Sequence, residues 1–376
     1  MKTVVHVLTV PDSLVFLRGQ PAFMKRHGYR FCVITSPDPR LDGFAAEHEV
    51  EVRGVSMQRK ITPAQDLRSL LGVLRALREL RPDVVHAQTP KGGLLGILAG
   101  AALRVPKRVY YLRGLPLETA SGWRRALLWT VEKTACTLAT DIVAVSPSLR
   151  SRTLALRLAA DRKVRVIGRG SGQGVDSERF RLTAGARAAS RAEYGYSERE
   201  VVFLFVGRLV ADKGIEEMTE AWARVAEELP AARLLIVGPE EPRDPVPAGV
   251  LERLRADRRV RFTGFLSDVR GAYAAADVLV LPSRREGFPN VPLEAAAMSL
   301  PVITTNATGC VDSVEDGVTG KVVAVNDASA LAAAMLDYGC DAELRRRHGA
   351  AGRRRVVEWF QPECLWRGIL EVYEAP

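Results

Sequence analysis

Two doubly wound α/β halves, each built on a parallel sheet, are what this 376-residue sequence predicts. Three observations carry that expectation. Short runs rich in Val, Ile and Leu alternate with helical patterns, as they do when crossover helices cover both faces of a sheet. The alternation breaks over residues 170–199 and restarts at Val201. Several strand-like runs empty into loops of Gly, Pro or Ser, and in open α/β sheets ligands bind at such carboxyl ends. The length suits two domains, and no apolar stretch is long enough for a spanning helix.

In order, residues 3–9 predict a first strand. They lack the small-residue cleavage site of a signal peptide and run into Pro11-Asp12-Ser13. A helix is expected over 13–26, closed by His27-Gly28, with strands over 30–34 and 50–55. Pro63–Leu80 predicts a long helix with an apolar stripe of Leu67, Leu70, Leu71, Leu74 and Leu77. Strands follow over 83–86, 109–112 and 141–145, with an apolar helix over 94–103 between the first two. The Gly170-Ser171-Gly172-Gln173-Gly174 run has no P-loop lysine after it and reads as an interdomain crossover. Residues 177–199, polar and rich in Arg and Ala, read as a linker. Strands over 201–206, 233–237, 260–262, 277–281 and 302–304 build the second half, with a helix over 216–228. Residues 345–373 read as helical with a break at Gln361-Pro362. The expected domains are 1–180 and 181–355, with 356–376 a terminal helix returning to the first.

The stretch Arg285-Glu286-Gly287-Phe288-Pro289-Asn290-Val291-Pro292-Leu293-Glu294 follows the buried run 277–281. Gly287, Pro289 and Pro292 forbid a continuing strand, and the alanine-rich run after Val291 predicts a short helix. Backbone N–H groups at a helix start lack intrahelical partners and can hold an anion. Glu286 in the loop and Glu294 one turn into the helix can then face the same crevice. Gly207-Arg208-Leu209 and Lys213-Gly214 follow another strand of the same half. Arg208 offers a planar fork for two phosphate oxygens, and Lys213 a mobile point charge. Ser283 and Asn306 sit at strand ends, where capping explains them as well as binding does, and Arg353-Arg354-Arg355 reads as a solvated helix face.

The Glu286–Glu294 stretch resembles the E-x7-E motif of retaining, nucleotide-sugar-dependent glycosyltransferases of family 4. Gly207-Arg208-Leu209 with Lys213-Gly214 resembles that family's diphosphate-binding pair. In the first half, 83–91 (Asp-Val-Val-His-Ala-Gln-Thr-Pro-Lys) and 113–119 (Arg-Gly-Leu-Pro-Leu-Glu-Thr) resemble a branch that builds capsular, O-antigen or glycan chains on polyprenyl-diphosphate lipids. The resemblance implies a GT-B architecture, two Rossmann-like domains facing a central cleft. It implies transfer of a hexose or N-acetylhexosamine, with retention, from a nucleoside-diphosphate sugar, expected to be a UDP-sugar, to a lipid-linked saccharide. By position, catalysis falls on Arg208, Lys213 and Glu286. Donor binding falls on Glu294, Gly287, Phe288, Pro289, Asn290, Gly207 and Phe265, and substrate contact on His86, Lys91 and Arg113. Arg113 stands where many members carry a histidine that contacts the donor sugar. No metal or other cofactor is implied, and the five histidines form no ligand-spaced set.

Two other readings stay open from the residues: transfer to a soluble secondary-metabolite acceptor, and a non-catalytic sugar-nucleotide-binding protein of the same fold. An epimerase would need acid/base pairs that the sequence does not offer. Five widely spaced cysteines without a CxxC pair argue for a reducing compartment. Residues 1–180 hold 29 Lys and Arg against 15 Asp and Glu, a net +14, which leaves −4 for residues 181–376 of the whole-chain +10. A basic amino-terminal half suits an anionic surface. Residues 115–129, with Leu115-Pro116-Leu117, Trp123-Arg124-Arg125 and Leu127-Leu128-Trp129, are candidates for peripheral docking on an anionic leaflet. The equal alternative is that both tryptophans are core. The expected place of work is the cytoplasm, peripheral on the inner membrane face, and no nucleic-acid partner is implied.

Overall fold

Buried β-branched and leucine-rich runs set two parallel sheets. The computed structural model describes residues 1–58, 62–241 and 245–375. The chain forms two units, one of Met1–Gln173 with Pro362–Pro376, the other of Gly174–Gln361. The sequence placed the first border at 180 and the second at 355. The Gly170–Gly174 run ends the first unit, and the break at Gln361-Pro362 ends the second.

In the first unit β1 (Lys2–Val7), α1 (Gln20–Arg26), β2 (Tyr29–Thr35), α2 (Arg40–His48), β3 (Glu51–Gly54), α3 (Pro63–Leu80), β4 (Val84–Gln88), α4 (Pro90–Ala102), β5 (Lys107–Leu112), α5 (Gly122–Leu138), β6 (Asp141–Ala144), α6 (Pro147–Ala155) and β7 (Val164–Arg165) alternate. The sheet order is β3-β2-β1-β4-β5-β6-β7, every pairing parallel. The order reverses between β1 and β4, the crevice where such sheets bind ligands. There Thr9 and Thr89 hydroxyls lie 2.7 Å apart, and the Gly92 amide donates to Thr9 Oγ1 at 2.8 Å.

The second unit holds α7 (Ala186–Tyr194), β8 (Val201–Val206), α8 (Ile215–Glu228), β9 (Ala232–Val237), α9 (Val250–Ala256), β10 (Val260–Gly264), α10 (Arg270–Ala275), β11 (Val278–Leu281), α11 (Asn290–Ala297), β12 (Val302–Thr305), α12 (Cys310–Ser313), β13 (Gly320–Val323), α13 (Ala328–Cys340) and α14 (Ala342–Trp359). Its parallel order is β10-β9-β8-β11-β12-β13, with the reversal between β8 and β11. Apolar clusters cover both faces, one around Phe203, Phe205 and Trp222, the other around Leu204, Leu279 and Met298. The last helix, α15 (Pro362–Glu374), belongs to the first unit and packs on α1.

Four local readings are corrected. The helix expected over 13–26 is a 3₁₀ turn over Pro11–Leu17 followed by α1. The stripe on α3 is rotated: Ser69, Val73, Ala76, Leu77 and Leu80 are buried, while Leu67 and Leu71 are 59 % and 58 % exposed. Residues 177–199 are no linker. Arg191, 1 % exposed, donates to Asp277 Oδ2 at 2.6 Å and to the Ser197 and Glu200 carbonyls. Asp277 also accepts from Arg187 and from the Val202 amide, which ties α7 to the start of β8 and β11. Removing one partner of such a buried pair costs roughly 3–5 kcal/mol, so an arginine-rich stretch that looks solvated is anchored. The same holds for Arg353 and Arg355, which donate to the carbonyls of Ala297 and of Ser313 and Asp312.

Candidate active site

In the second unit, the carboxyl ends of β8 and β11 bring together residues far apart in sequence. Gly214 closes the turn before α8 at φ +69°, and a Cβ there would stand 2.0 Å from the Pro282 carbonyl oxygen. Only glycine lets this turn seat against the end of β11. The turn Ala211–Lys213 thereby sets the Lys213 ammonium against Glu286 Oε1, with which it forms an ion pair. Ser283 Oγ donates to the same carboxylate oxygen at 3.1 Å. The loop is held from several sides. Arg285 pairs with Asp212 at 2.6 Å, Arg284 with Glu216 and Glu217, and the Glu286 amide donates to the Thr308 carbonyl at 3.1 Å.

Gly287 to Pro289 lead into α11, whose N-cap is Pro289. The Phe288 side chain is buried and packs against Phe360, ring centroids 5.7 Å apart, so this residue has its backbone to offer a ligand. Asn290 Oδ1 is buried and has no partner among the described residues. Glu294 Oε2 accepts from Tyr273 Oη at 2.8 Å, and burial pushes its carboxyl above the ordinary range. Arg208, just beyond β8, is 56 % exposed and lies 3.4 Å from Glu241. Phe265, just beyond β10, is 75 % exposed. Asn306 caps a turn by accepting from the Val325 amide.

The first unit holds the other three expected residues and brings two of them, His86 and Arg113, to one cavity, while Lys91 stands apart. His86 ends up under Tyr373 of α15: Tyr373 Oη lies 2.6 Å from His86 Nδ1 and 3.2 Å from His6 Nε2. The two imidazoles stack at 4.2 Å. Burial, with the Arg113 charge nearby, pushes His86 down to about 3, so both rings stay neutral. Arg113 lies beside His86 in one cavity; burial pulls its guanidinium down to about 10, still charged at neutral pH. Lys91 is bound elsewhere, 2.6 Å from Asp66 on α3.

Sequence reasoning missed Tyr273, Asp212, Thr308 and Tyr373. Tyr273 stands in an Ala-rich helix with no motif to mark it. Thr308-Gly309 follows a strand end, the signal that marked the other loops, and could have been found by it.

The chain matches two family models, a glycosyl transferase 4-like domain over residues 18–170 and glycosyl transferases group 1 over residues 200–341. A capsular polysaccharide biosynthesis glycosyltransferase, CapM of Staphylococcus aureus, is 33 % identical over 373 residues, 98 % of this chain and 96 % of that protein. The chain is a family-4-type glycosyltransferase. Another relative, the UDP-Gal:α-D-GlcNAc-diphosphoundecaprenol α-1,3-galactosyltransferase of Escherichia coli, is 26 % identical over 272 residues, 72 % of this chain and 69 % of that one. Among solved structures, Anabaena Alr3699/HepE in complex with UDP and glucose superposes with a TM-score of 0.81 at 20 % identity, all of both chains covered. This glycosyltransferase thus has the GT-B fold, two Rossmann-like parallel-sheet units. Two of the residues that the family motif singled out, Lys213 and Glu286, form an ion pair inside its second unit.

Proposed function

We propose that this glycosyltransferase moves a hexose or N-acetylhexosamine, with retention, from a UDP-sugar to a polyprenyl-diphosphate-linked saccharide in surface polysaccharide assembly. The observation that carries the reading is the Lys213–Glu286 pair at the β8/β11 reversal, with the α11 start and Glu294 on the same loop and helix. Breaking a sugar–phosphate bond leaves negative charge on the nucleoside diphosphate, and fixed cations aimed at that charge lower the barrier. Arg208 and Lys213 supply it, and the Gly287–Asn290 amides add the helix-start contribution. Glu286, oriented by Ser283 and Lys213, accepts from sugar hydroxyls. Glu294, held by Tyr273, accepts from ribose hydroxyls with its remaining oxygen. The leaving diphosphate helps to take the acceptor proton on the same face, which needs no protein nucleophile. The two relatives named for capsular polysaccharide and for a diphosphoundecaprenol acceptor support the acceptor class, and HepE with UDP supports the donor.

No metal enters this scheme, because the two cations do its electrostatic work; EDTA should leave turnover unchanged. The place of work is the inner membrane face. Among the described residues no helix is long and apolar enough to cross a membrane. At the start of α5, Trp123 is 75 % exposed, with Arg124 and Arg125 exposed beside it. Leu115 and Leu117, expected in the same docking stretch, are buried, and Trp129 is anchored to the Leu156 carbonyl at 3.0 Å. The docking face is therefore narrower than residues 115–129.

The test is a donor screen by thermal stabilisation, followed by incubation of the best donor with lipid-linked and soluble acceptor pools. A product on a polyprenyl-diphosphate saccharide, with its anomeric configuration preserved by NMR, is expected. Transfer to soluble acceptors alone would overturn the acceptor, and an inverted product the mechanism.

A further inference from the structure

The Arg113 guanidinium is a half-buried cation with no carboxylate beside it among the described residues. Its Nε donates to Gln88 Oε1 at 2.6 Å, and its plane lies over Phe16 and Tyr111, 4.2 and 5.0 Å from the ring centroids. Neither Nη has a hydrogen-bond acceptor among the described residues. Withdrawing a charge from water is unfavourable unless it is paired, and desolvation already pulls this guanidinium down, so the arrangement favours a counter-charge that the described residues do not provide.

The surroundings point the same way. Gln88, wholly buried at the end of β4, is oriented by its bond to Arg113, which turns its Nε2 donor away, and that donor has no partner among the described residues. Gln20 Nε2 is likewise buried and unpartnered among the described residues, and both glutamines line the same cavity as Arg113. On the far side Gly172 leaves room for the guanidinium: a Cβ there would stand 2.5 Å from Nη1. One acceptor, Gln173 Oε1, is also buried at the cavity wall without a partner among the described residues. The enclosed part of the cavity is water-sized, about 10 Å³, so a larger ligand would present one polar group at its open mouth, where Arg113 is partly exposed.

We infer that this cavity of the first unit binds an oxyanion, a phosphate or a carboxylate carried by a sugar-containing substrate, with Arg113, Gln88 and Gln20 donating to it and Gln173 accepting from a neighbouring hydroxyl. Paired N–H donors of a planar guanidinium match two oxygens of either group. Assigning the anion to a substrate rests on the glycosyltransferase reading; the binding itself does not.

The experiment uses the full chain carrying Arg208→Ala, which weakens the other phosphate-binding candidate. Inorganic phosphate and glucuronate are titrated at ionic strength held with sodium chloride, with glucose as the uncharged control, and thermal unfolding is followed. At least one anion should raise the Tm in a saturable way and glucose should not. Adding Arg113→Gln should weaken that response by about ten-fold or more. A response to phosphate alone assigns a phosphate-bearing substrate, and one to glucuronate alone a sugar acid. Neither anion exceeding chloride, or a full response in Arg113→Gln, overturns the inference. Should Arg113→Gln fail to fold, Gln88→Leu must weaken the response several-fold, and an unchanged response there is equally fatal. Wild-type chain that fails to bind UDP would remove the donor reading and leave this one standing.

Discussion

Tyr273 Oη donates to Glu294 Oε2 across 2.8 Å, joining α10 to α11 and leaving Glu294 one oxygen with which to meet a ligand. If that oxygen accepts from ribose hydroxyls, Glu294→Gln keeps the shape and removes the charge that strengthens those bonds. Hydrogen bonds to charged groups are worth roughly 1.5–3 kcal/mol. UDP affinity measured by calorimetry should fall by about ten-fold, while thermal stability is kept or raised, since burial disfavours the ionised carboxyl. Tyr273→Phe should weaken UDP less, because it releases Glu294 without removing its charge. Unchanged UDP affinity in Glu294→Gln removes the ribose role.

Among the described residues Arg208 makes a single, long contact, with Glu241 at the surface, so its loss should hardly disturb the fold. If it grips the diphosphate, Arg208→Ala weakens UDP by about ten-fold or more and uridine far less. Equal loss for both ligands would assign it no phosphate role. Lys213→Ala differs in kind: it leaves Glu286 without its ion pair, so both donor affinity and the order of the loop should suffer.

How much of this was legible follows from the kind of interaction. The sheets were readable because fully buried parallel strands leave continuous apolar runs, and β8 was placed to the residue. The loop after β11 was readable because Gly287, Pro289 and Pro292 stop a strand and start a helix within a few residues. Tyr273 was not, since its partner lies 21 residues on and no periodicity reports a side-chain hydrogen bond. Arg191 and Arg353 were misread for a related reason. Charge pattern says where cations stand in the chain, but not that backbone carbonyls surround them after folding. On α3 the leucines gave the right helix and the wrong face, because small residues such as Ser69 and Ala76 fill the contact.

Glu132 on α5 is buried and accepts from Tyr110 Oη at 2.7 Å, and burial lifts its carboxyl to about 7. The unfolded chain releases this proton near pH 4.5, the folded one near 7. Between those values the native state holds the extra proton, so stability falls as pH rises and is level above. The shift corresponds to about 3 kcal/mol. Glu132→Gln keeps an acceptor for Tyr110 and cannot ionise. Its unfolding free energy should match the wild type at about pH 4, below both values, and exceed it by up to that amount at about pH 8. Parallel pH profiles for the two proteins would show that Glu132 is ionised throughout.

Trp123, Arg124 and Arg125 stand exposed on the first turn of α5, while the same helix is fixed farther along by Trp129 and by Lys133, whose ammonium donates to the Arg157 carbonyl at 2.7 Å. An aromatic flanked by cations on a rigid support is what an anionic leaflet attracts, through apolar insertion of the ring and charge attraction at its rim. Each basic residue near such a surface adds roughly 1 kcal/mol. Reversing two of them should therefore do more than remove their attraction. Arg124→Glu with Arg125→Glu should abolish sedimentation with phosphatidylserine-containing vesicles at low salt and leave UDP affinity unaltered, since neither residue belongs to the second unit. Trp123→Ala should weaken sedimentation while keeping its salt dependence, because it removes apolar contact and no charge. Wild-type protein that stays in the supernatant with such vesicles would leave the exposed tryptophan without a membrane role, and double-variant protein that still sediments would move the docking surface off α5.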